Sequence, residues 1–261
     1  TDFLAKPIDR TEFLARARNM LALWRTQRAL ADRAAWLAGE VDKATQAVLA
    51  RERETLFCLG RAAEYRDPET GGHIMRMANY SRLVAERLGL PRAEQDLILM
   101  AAPMHDVGKL GIPDRILLKP GRLTDEEMAV MKTHAQIGYE ILKDSSSNVL
   151  QVGAVIARAH HEKFDGGGYP AGLAGEAVPL YGRIVAVADV FDALTSERPY
   201  KSAWEVDRAR SFIVEAGGTH FDPACVDAFL ASWEDVLAVR EQHRDQPEAA
   251  APADSALERV R

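Results

Sequence analysis

Histidines and the acids beside them are the residues of this chain whose types and spacing best suit chemistry. Two pairs follow one another directly, His105-Asp106 and His160-His161. Neutral imidazoles and carboxylates are the usual protein ligands of iron, manganese and zinc ions. The histidines on helical stretches between residues 56 and 240 are His73, His105, His134, His160 and His161. For any one of them alone, a structural or surface role is the alternative.

Adjacency limits how these side chains can share an ion. Neighbouring residues of a helix point about 100° apart, so a His-Asp or His-His pair does not easily place both side chains on one ion. Such pairs can serve two neighbouring ions, and several pairs on different helices indicate a multinuclear metal centre within a bundle. Glu69 and His73 are four residues apart and can address the same ion. Zinc-finger spacings, H-E-x-x-H motifs, Walker loops and G-x-S-x-G elbows do not occur.

The composition narrows the class of protein. The chain has 261 residues and a formal net charge of −6, which argues against a protein that coats a nucleic-acid backbone. No apolar run approaches the roughly 20 residues that span a bilayer. A charged start without a signal peptide, and two cysteines without a motif, predict a cytoplasmic protein in which Cys58 and Cys225 are buried apolar side chains. Because residue 1 is Thr1 rather than methionine, we expect a fragment of a longer chain.

Helical periodicity dominates the sequence, and we expect an all-α fold. A helix is predicted from near Asp9, with Glu12 placed as in a capping box, to about Tyr65, and another capping box begins at Thr124. Within the first helix, a heptad pattern has seven apolar members out of eight. Its members are Leu23, Gln27, Leu30, Ala34, Leu37, Val41, Ala44 and Val48. The pattern predicts a short dimeric coiled coil, weakened by Gly39 by about 1 kcal/mol; a long helix packed on its own domain is the alternative.

Five motifs resemble those of the HD-GYP family of HD-domain phosphohydrolases. The stretch 105–109, with the pattern His-Asp-x-x-Lys, resembles the general signature of HD domains. The stretch 160–170, HHEKFDGGGYP, resembles the signature that defines the HD-GYP subfamily. Residues 111–114, 117–124 and 189–201 resemble further motifs in the same order. The resemblance covers about residues 56–237 and implies an HD-domain helical bundle that hydrolyses cyclic di-GMP to pGpG, GMP or both.

The resemblance also implies which residues form the site. Family members hold two or three iron or manganese ions, and Glu69 matches a residue that helps to hold a third ion in some members. Arg198 and Lys201 match residues that bind the substrate phosphates, and Tyr169 could shape the guanine or phosphate pocket or serve only to fold its loop. The metal ligands carried over are Glu69, His73, His105, Asp106, His134, His160, His161 and Asp189.

Two residues are predicted to act in catalysis. Asp106 adjoins His105 and could bridge two ions, which together provide an activated water and neutralise phosphate charge. Lys109 lies one helical turn further on and could bind phosphate or protonate the leaving ribose oxygen. An ion pair between Lys109 and Asp106 is the alternative, and it is compatible with both roles.

The first residues resemble the end of a two-component receiver domain. Residues 2–7, Asp-Phe-Leu-Ala-Lys-Pro, precede a helix, and Lys6 would be the lysine that contacts the phosphoryl group; a surface Lys-Pro turn is the alternative. We therefore predict a response regulator with an upstream sensor histidine kinase, whose phosphorylation alters the linker. The predicted segments are a receiver remnant at 1–19, a helical linker at 20–55, an HD-GYP catalytic domain at 56–240 and a flexible tail at 241–261.

The expected partners follow from these modules. They are cyclic di-GMP, a second copy of the chain through the linker, the sensor kinase and cyclic-di-GMP synthases (GGDEF proteins), with no membrane and no nucleic-acid polymer. One other function is an HD phosphohydrolase that acts on a different nucleotide, which a substrate panel would distinguish. Another is a scaffold without catalysis that binds such synthases through residues 168–170, which an empty metal site would favour.

Overall fold

The computed structural model describes residues 9–64, 71–197 and 202–244. Those residues form helices, turns and loops, with one isolated bridge between Gly217 and Phe221. The predicted all-α fold is therefore confirmed. The α-helices are α1 Arg10–Glu64, α2 Gly71–Arg87, α3 Arg92–Ala101, α4 Asp114–Leu117, α5 Asp125–Lys132, α6 His134–Leu142, α7 Asn148–Ala159, α8 Leu180–Thr195, α9 Val206–Glu215, α10 Pro223–Ala231 and α11 Trp233–Gln242.

The chain divides into two units, one ending at Arg53 and the other beginning at Glu54. The described part of the first unit is helical, and α1 begins as predicted, because Asp9 Oδ1 accepts a hydrogen bond from the backbone N–H of Glu12 (N···O 2.8 Å). The heptad side chains of this unit point to solvent; Leu30, for example, is 65% exposed. No helix among the described residues combines the length and apolar character needed to span a membrane.

Helix α2 lies at the centre of the second unit. It packs against α3, α8, α10 and α11, while α6 packs against α7. Three fully buried aromatic rings fill the space between α2, α8 and α10: Tyr80 contacts Phe191 and Phe229 with ring centroids 5.6 and 6.3 Å apart. Buried rings in edge-to-face contact fix the distance between helices. The helices that carry the histidines are therefore set on a common core.

Local signals in the sequence set several helix boundaries. The capping box predicted at Thr124 is confirmed, since its hydroxyl accepts from the backbone N–H of Glu127 and the Glu127 carboxylate accepts from that of Thr124. The cysteine prediction is half right. Cys225 is buried, but Cys58 is exposed, because it falls on the face of α1 opposite Leu56 and Phe57.

Helix α6 approaches the segment after Asp106 more closely than a side chain would permit. A Cβ atom on Gly108 would lie 1.9 Å from the backbone oxygen of His134 and 2.5 Å from the backbone nitrogen of Gly138. Only glycine fits at such a contact. This close approach brings His134, the first residue of α6, beside Asp106.

Candidate metal centre

Seven buried or partly buried side chains form two groups that could each hold a metal ion. In each group, the candidate ligand atoms all lie within 4.8 Å of one another. The first group consists of Asp106, His134, His160 and His161. The second group consists of Glu64, His73 and His105. Six of the eight predicted ligands are therefore brought together, and Asp189 lies next to the second group with its Oδ1 3.6 Å from His73 Nε2 and 4.0 Å from His105 Nε2.

Most of these residues stand where helices begin or end. His105 and Asp106 occupy a turn between two short 3₁₀ helices, Ala102–Met104 and Val107–Gly111. The His160-His161 pair lies in the turn that ends α7. A turn allows neighbouring side chains to converge, whereas in the helix predicted for these pairs they would diverge. As a result, both members of the His160-His161 pair belong to one group, whereas His105 and Asp106 belong to different groups.

Three histidines of the centre have the same orientation. In each, Nδ1 faces a backbone carbonyl oxygen: Ala102 O at 3.2 Å, Met131 O at 2.7 Å and Ala157 O at 3.0 Å. A carbonyl can only accept, so Nδ1 carries a proton, and in the neutral imidazole the lone pair lies on Nε2. Among the described residues these Nε2 atoms have no hydrogen-bond partner, although they are buried. The histidines concerned are His105, His134 and His160.

Buried acceptors without a donor are costly unless something binds them. Asp106 Oδ1 is a further buried atom without a hydrogen-bond partner among the described residues. It lies 3.2 Å from His134 Nε2 and 3.5 Å from His160 Nε2. Lone pairs that converge with a carboxylate oxygen in this way fit a divalent cation such as iron, manganese or zinc.

The two oxygens of Asp106 face different groups. While Oδ1 faces His134 and His160, Oδ2 lies 3.4 Å from His105 Nε2 in the second group. Oδ2 also pairs with Lys109 Nζ at 2.7 Å, so the ion pair considered in the sequence analysis is present. The Asp106 carboxylate therefore faces both groups of candidate ligands and also pairs with Lys109.

Charge within the centre keeps Asp106 ionised. Burial acts to raise the pKa of this carboxyl, but Lys109 and His105 hold it well below the usual value. Burial also lowers the pKa of His105, yet Asp106, Asp189 and Glu64 raise it to about 9. The acids around His105 therefore attract positive charge, and a bound cation would compete with the proton there.

The His160-His161 pair is held neutral. Burial lowers the pKa of His160, and burial together with the adjacent His160 lowers the pKa of His161 well below its usual value. A neutral imidazole is the form of histidine that binds metal ions.

Tyr169 lies beside the first group. Its ring stacks on that of His161 with centroids 4.7 Å apart, and its backbone N–H donates to His161 O at 3.1 Å. The buried carboxylate of Glu162 accepts hydrogen bonds from the backbone N–H groups of Ala171 (2.7 Å) and Leu173 (3.0 Å). This loop therefore holds Tyr169 against a candidate ligand.

Three predicted site residues fall outside the described part of the chain: Glu69, Arg198 and Lys201. Glu64 is a residue of the centre that sequence reasoning missed. The signal was present, because Glu64 continues the buried stripe of Leu56, Phe57, Gly60 and Ala63 along α1. An ionisable residue on an apolar stripe is seldom buried without a specific partner.

The HD domain family matches residues 57–225, and the chain belongs to that family. The HD-domain prediction is thereby confirmed. The cyclic di-GMP phosphodiesterase response regulator RpfG of Xanthomonas campestris pv. campestris is 53% identical over 229 residues, which cover 88% of this chain and 61% of that protein. The 3'3'-cGAMP-specific phosphodiesterase 2 of Vibrio cholerae serotype O1 is 45% identical over 188 residues, 72% of this chain and 36% of that protein.

The chain thus spans less than two thirds of the length of either relative. Among solved structures, the cyclic GMP-AMP specific phosphodiesterase V-cGAP3 of V. cholerae is similar, with a TM-score of 0.56 at 18% identity over 75% of this chain and 54% of that chain. At this identity, the similarity supports the helical fold alone.

Proposed function

We propose that this chain is a metal-dependent phosphodiesterase that hydrolyses cyclic di-GMP to linear pGpG, GMP or both. The observation that carries the proposal is the single carboxylate, Asp106, whose two oxygens face two groups of buried imidazoles. The identity to RpfG, which is named a cyclic di-GMP phosphodiesterase, supports this substrate.

We infer two or three divalent ions, iron or manganese, as cofactors. Bound in the two groups, such ions would supply a nucleophilic water at neutral pH and neutralise phosphate charge. Asp106, His134, His160 and His161 would hold one ion. Glu64, His73, His105 and Asp189 would hold another, with Asp106 between them. A third ion would involve Glu69, as the family resemblance implies.

The remaining side chains would act on the substrate. Lys109 Nζ stands 2.7 Å from Asp106 Oδ2, so its charge is held where a scissile phosphate would meet the centre. From there it can stabilise the phosphate or give a proton to the leaving ribose oxygen. Tyr169, stacked on His161, would border the base or phosphate pocket. Arg198 and Lys201 would bind phosphates, and arginine offers two parallel donors for that purpose.

A second copy of the chain is the proposed partner of α1. The heptad continues towards the start of the helix, since Phe13 and Met20 precede Gln27 at seven-residue intervals. Val41 occupies the same heptad position, a, as Phe13 and Met20, and leucines occupy the other seam position, d. Valine at a with leucine at d favours a two-stranded coiled coil. Phe13, Met20 and Val41 are 48%, 61% and 64% exposed, and the helix of a second copy could cover these apolar side chains.

The regulatory partners rest on the resemblance of residues 2–7 to a receiver domain. We propose that the chain is the output part of a cytoplasmic response regulator, phosphorylated by a sensor histidine kinase, and that cyclic-di-GMP synthases bind near 168–170. Phosphorylation would act through the helical linker. Equal turnover with and without a phosphoryl mimic in the full-length protein would contradict this regulation.

A substrate panel tests the function. Protein loaded with Mn(II) or Fe(II) is incubated with cyclic di-GMP, 3'3'-cGAMP and linear dinucleotides, and the products are separated by chromatography. We expect the wild type to form pGpG or GMP from cyclic di-GMP. His105→Ala and Asp106→Ala should form no product while retaining their helical circular dichroism. Faster turnover of 3'3'-cGAMP would assign the specificity of the Vibrio relative instead. Absence of any product, together with an empty metal site, would favour the scaffold.

A further inference from the structure

A fully buried carboxylate on α8 lies behind one of the candidate metal ligands. Asp192 Oδ2 lies 2.8 Å from His73 Nδ1, 2.9 Å from Arg76 Nη2 and 3.0 Å from Ser196 Oγ. Asp192 Oδ1 lies 2.6 Å from Arg76 Nε. Asp192 was not singled out by sequence reasoning, and its side chain has no exposure to solvent.

These contacts define the hydrogen bond to His73. A guanidinium group can only donate, and it engages both oxygens of Asp192, so the carboxylate serves as an acceptor throughout. His73 Nδ1 must therefore carry the proton. The lone pair then lies on Nε2, which faces Asp189 Oδ1 at 3.6 Å and Glu64 Oε1 at 3.7 Å.

We propose that Asp192 and Arg76 form a positioning pair that holds His73 in the tautomer and orientation needed to bind a metal ion. A carboxylate behind a ligating histidine fixes the ring and increases its basicity as a ligand. His105, His134 and His160 use backbone carbonyls for this purpose, so His73 differs in having a charged acceptor. The inference rests on the proposed metal centre and adds two residues that touch neither ion nor substrate.

The guanidinium of Arg76 is itself fixed from two other elements. Its Nη2 donates to Ser196 Oγ at 2.8 Å, just after the end of α8. Its Nη1 donates to the backbone oxygen of His243 at 2.8 Å, at the end of α11. Arg240 of α11 in turn donates to Thr195 O at 3.2 Å. The orientation of His73 therefore depends on how α2, α8 and α11 meet.

Metal affinity tests the proposal separately from catalysis. Chelated full-length protein is titrated with Co(II), with visible absorption and bound cobalt after equilibrium dialysis as readouts. In Asp192→Asn, either orientation of the amide places its NH₂ against a donor of Arg76. We expect about 10- to 100-fold weaker binding of one cobalt ion, with the other unchanged. Arg76→Lys, which keeps the charge but loses the two-point contact, should weaken the same ion less.

Asp222→Asn is the matched control. Asp222 is also a buried aspartate paired with an arginine, Arg183, and its side chain further contacts the backbone N–H of Ala224 and the thiol of Cys225. This variant should lower the melting temperature and bind Co(II) as the wild type does. Wild-type affinity in both Asp192→Asn and Arg76→Lys, or an equal loss in Asp222→Asn, would overturn the positioning role. A wild-type protein that binds no cobalt would instead overturn the proposed metal centre.

Discussion

At the scale of single residues, the centre depends on which atom of each side chain faces inward. Backbone carbonyls hold the Nδ1 atoms of His105, His134 and His160, so their Nε2 lone pairs converge. Asp106 stands between these imidazoles with one oxygen towards each group. No neutral side chain of equal size can replace a carboxylate in that position.

Asp106→Asn should therefore weaken metal binding in the centre. The amide keeps the shape but removes the charge, and its NH₂ group, which has no lone pair to offer an ion, replaces one of the two oxygens. We expect the loss of at least one bound ion per chain, measured by metal mass spectrometry, and a fall in kcat of about 10²-fold or more. Asp144→Asn, an exposed aspartate, is the control. Wild-type metal content and turnover in Asp106→Asn would contradict the bridging role.

Glu64→Gln tests the candidate ligand that was not predicted from the sequence. Glu64 Oε1 lies 3.7 Å from His73 Nε2 within the second group. Removal of its charge should weaken the ion in that group by about tenfold and leave the first group filled, on the scale of other changes around metal ligands. The exposed Glu52→Gln, on the same helix, should leave the metal content unchanged. Wild-type affinity for both ions in Glu64→Gln, measured by metal titration, would show that this carboxylate is not a ligand.

Most of the residues in the centre could be predicted from sequence because their motifs are local. His105-Asp106 and His160-His161 are adjacent in the chain, so spacing alone drew attention to them. Glu64 and Asp192 have no such neighbour. Their proposed roles depend on tertiary packing between helices, and hydrophobic periodicity predicts that a helix buries a face without predicting what that face meets.

At the scale of elements, the ends of helices position most of the candidate metal ligands. His134 begins α6 and His160 follows α7, while His105 and Asp106 lie in a turn between two 3₁₀ helices, so most of the candidate ligands lie where helices begin or end. The sequence predicted the start of α1 and the cap of α5, because capping depends on neighbouring residues. It did not predict that His160 and His161 would share a group, since that depends on the turn after α7.

Gly108→Ala should separate two of these elements. The added methyl group would meet the backbone of α6 at His134 and Gly138, which cannot move without shifting the helix. We expect a loss of about 1–3 kcal/mol in the free energy of unfolding and weaker metal binding in the first group. Chemical denaturation measures the former. Gly39→Ala, at a glycine with open space around it, should instead stabilise its helix by up to about 1 kcal/mol. An unchanged free energy of unfolding in Gly108→Ala would contradict the close approach.

Leu30→Lys should dissociate the proposed dimer. Leu30 occupies a seam position of the heptad, so a charge there would be buried between two helices. Size-exclusion chromatography with light scattering should show a shift from dimer to monomer. Leu21→Lys, one position beyond the seam residue Met20, is the matched control and should remain dimeric. A wild-type monomer, or a dimer that survives Leu30→Lys, would exclude this interface.

At the scale of the whole molecule, an acidic chain is proposed to act on an anionic substrate. The net charge of −6 gives no general attraction for a phosphodiester. Binding must therefore depend on cations concentrated at the centre: the ions, Lys109 and the predicted Arg198 and Lys201. Fold class and family could be read from helical periodicity and motif order. The choice between cyclic di-GMP and 3'3'-cGAMP could not, because it depends on the shape of a pocket around one base.

The most direct measurement of the central claim is turnover as a function of bound metal in one preparation. The chelated chain is reconstituted stepwise with Mn(II), and bound metal and pGpG or GMP formation from cyclic di-GMP are measured at each step. We predict negligible turnover without metal and a rise that follows the filling of both groups. Turnover that persists in the chelated protein, or a fully loaded protein that forms no product, would contradict the account.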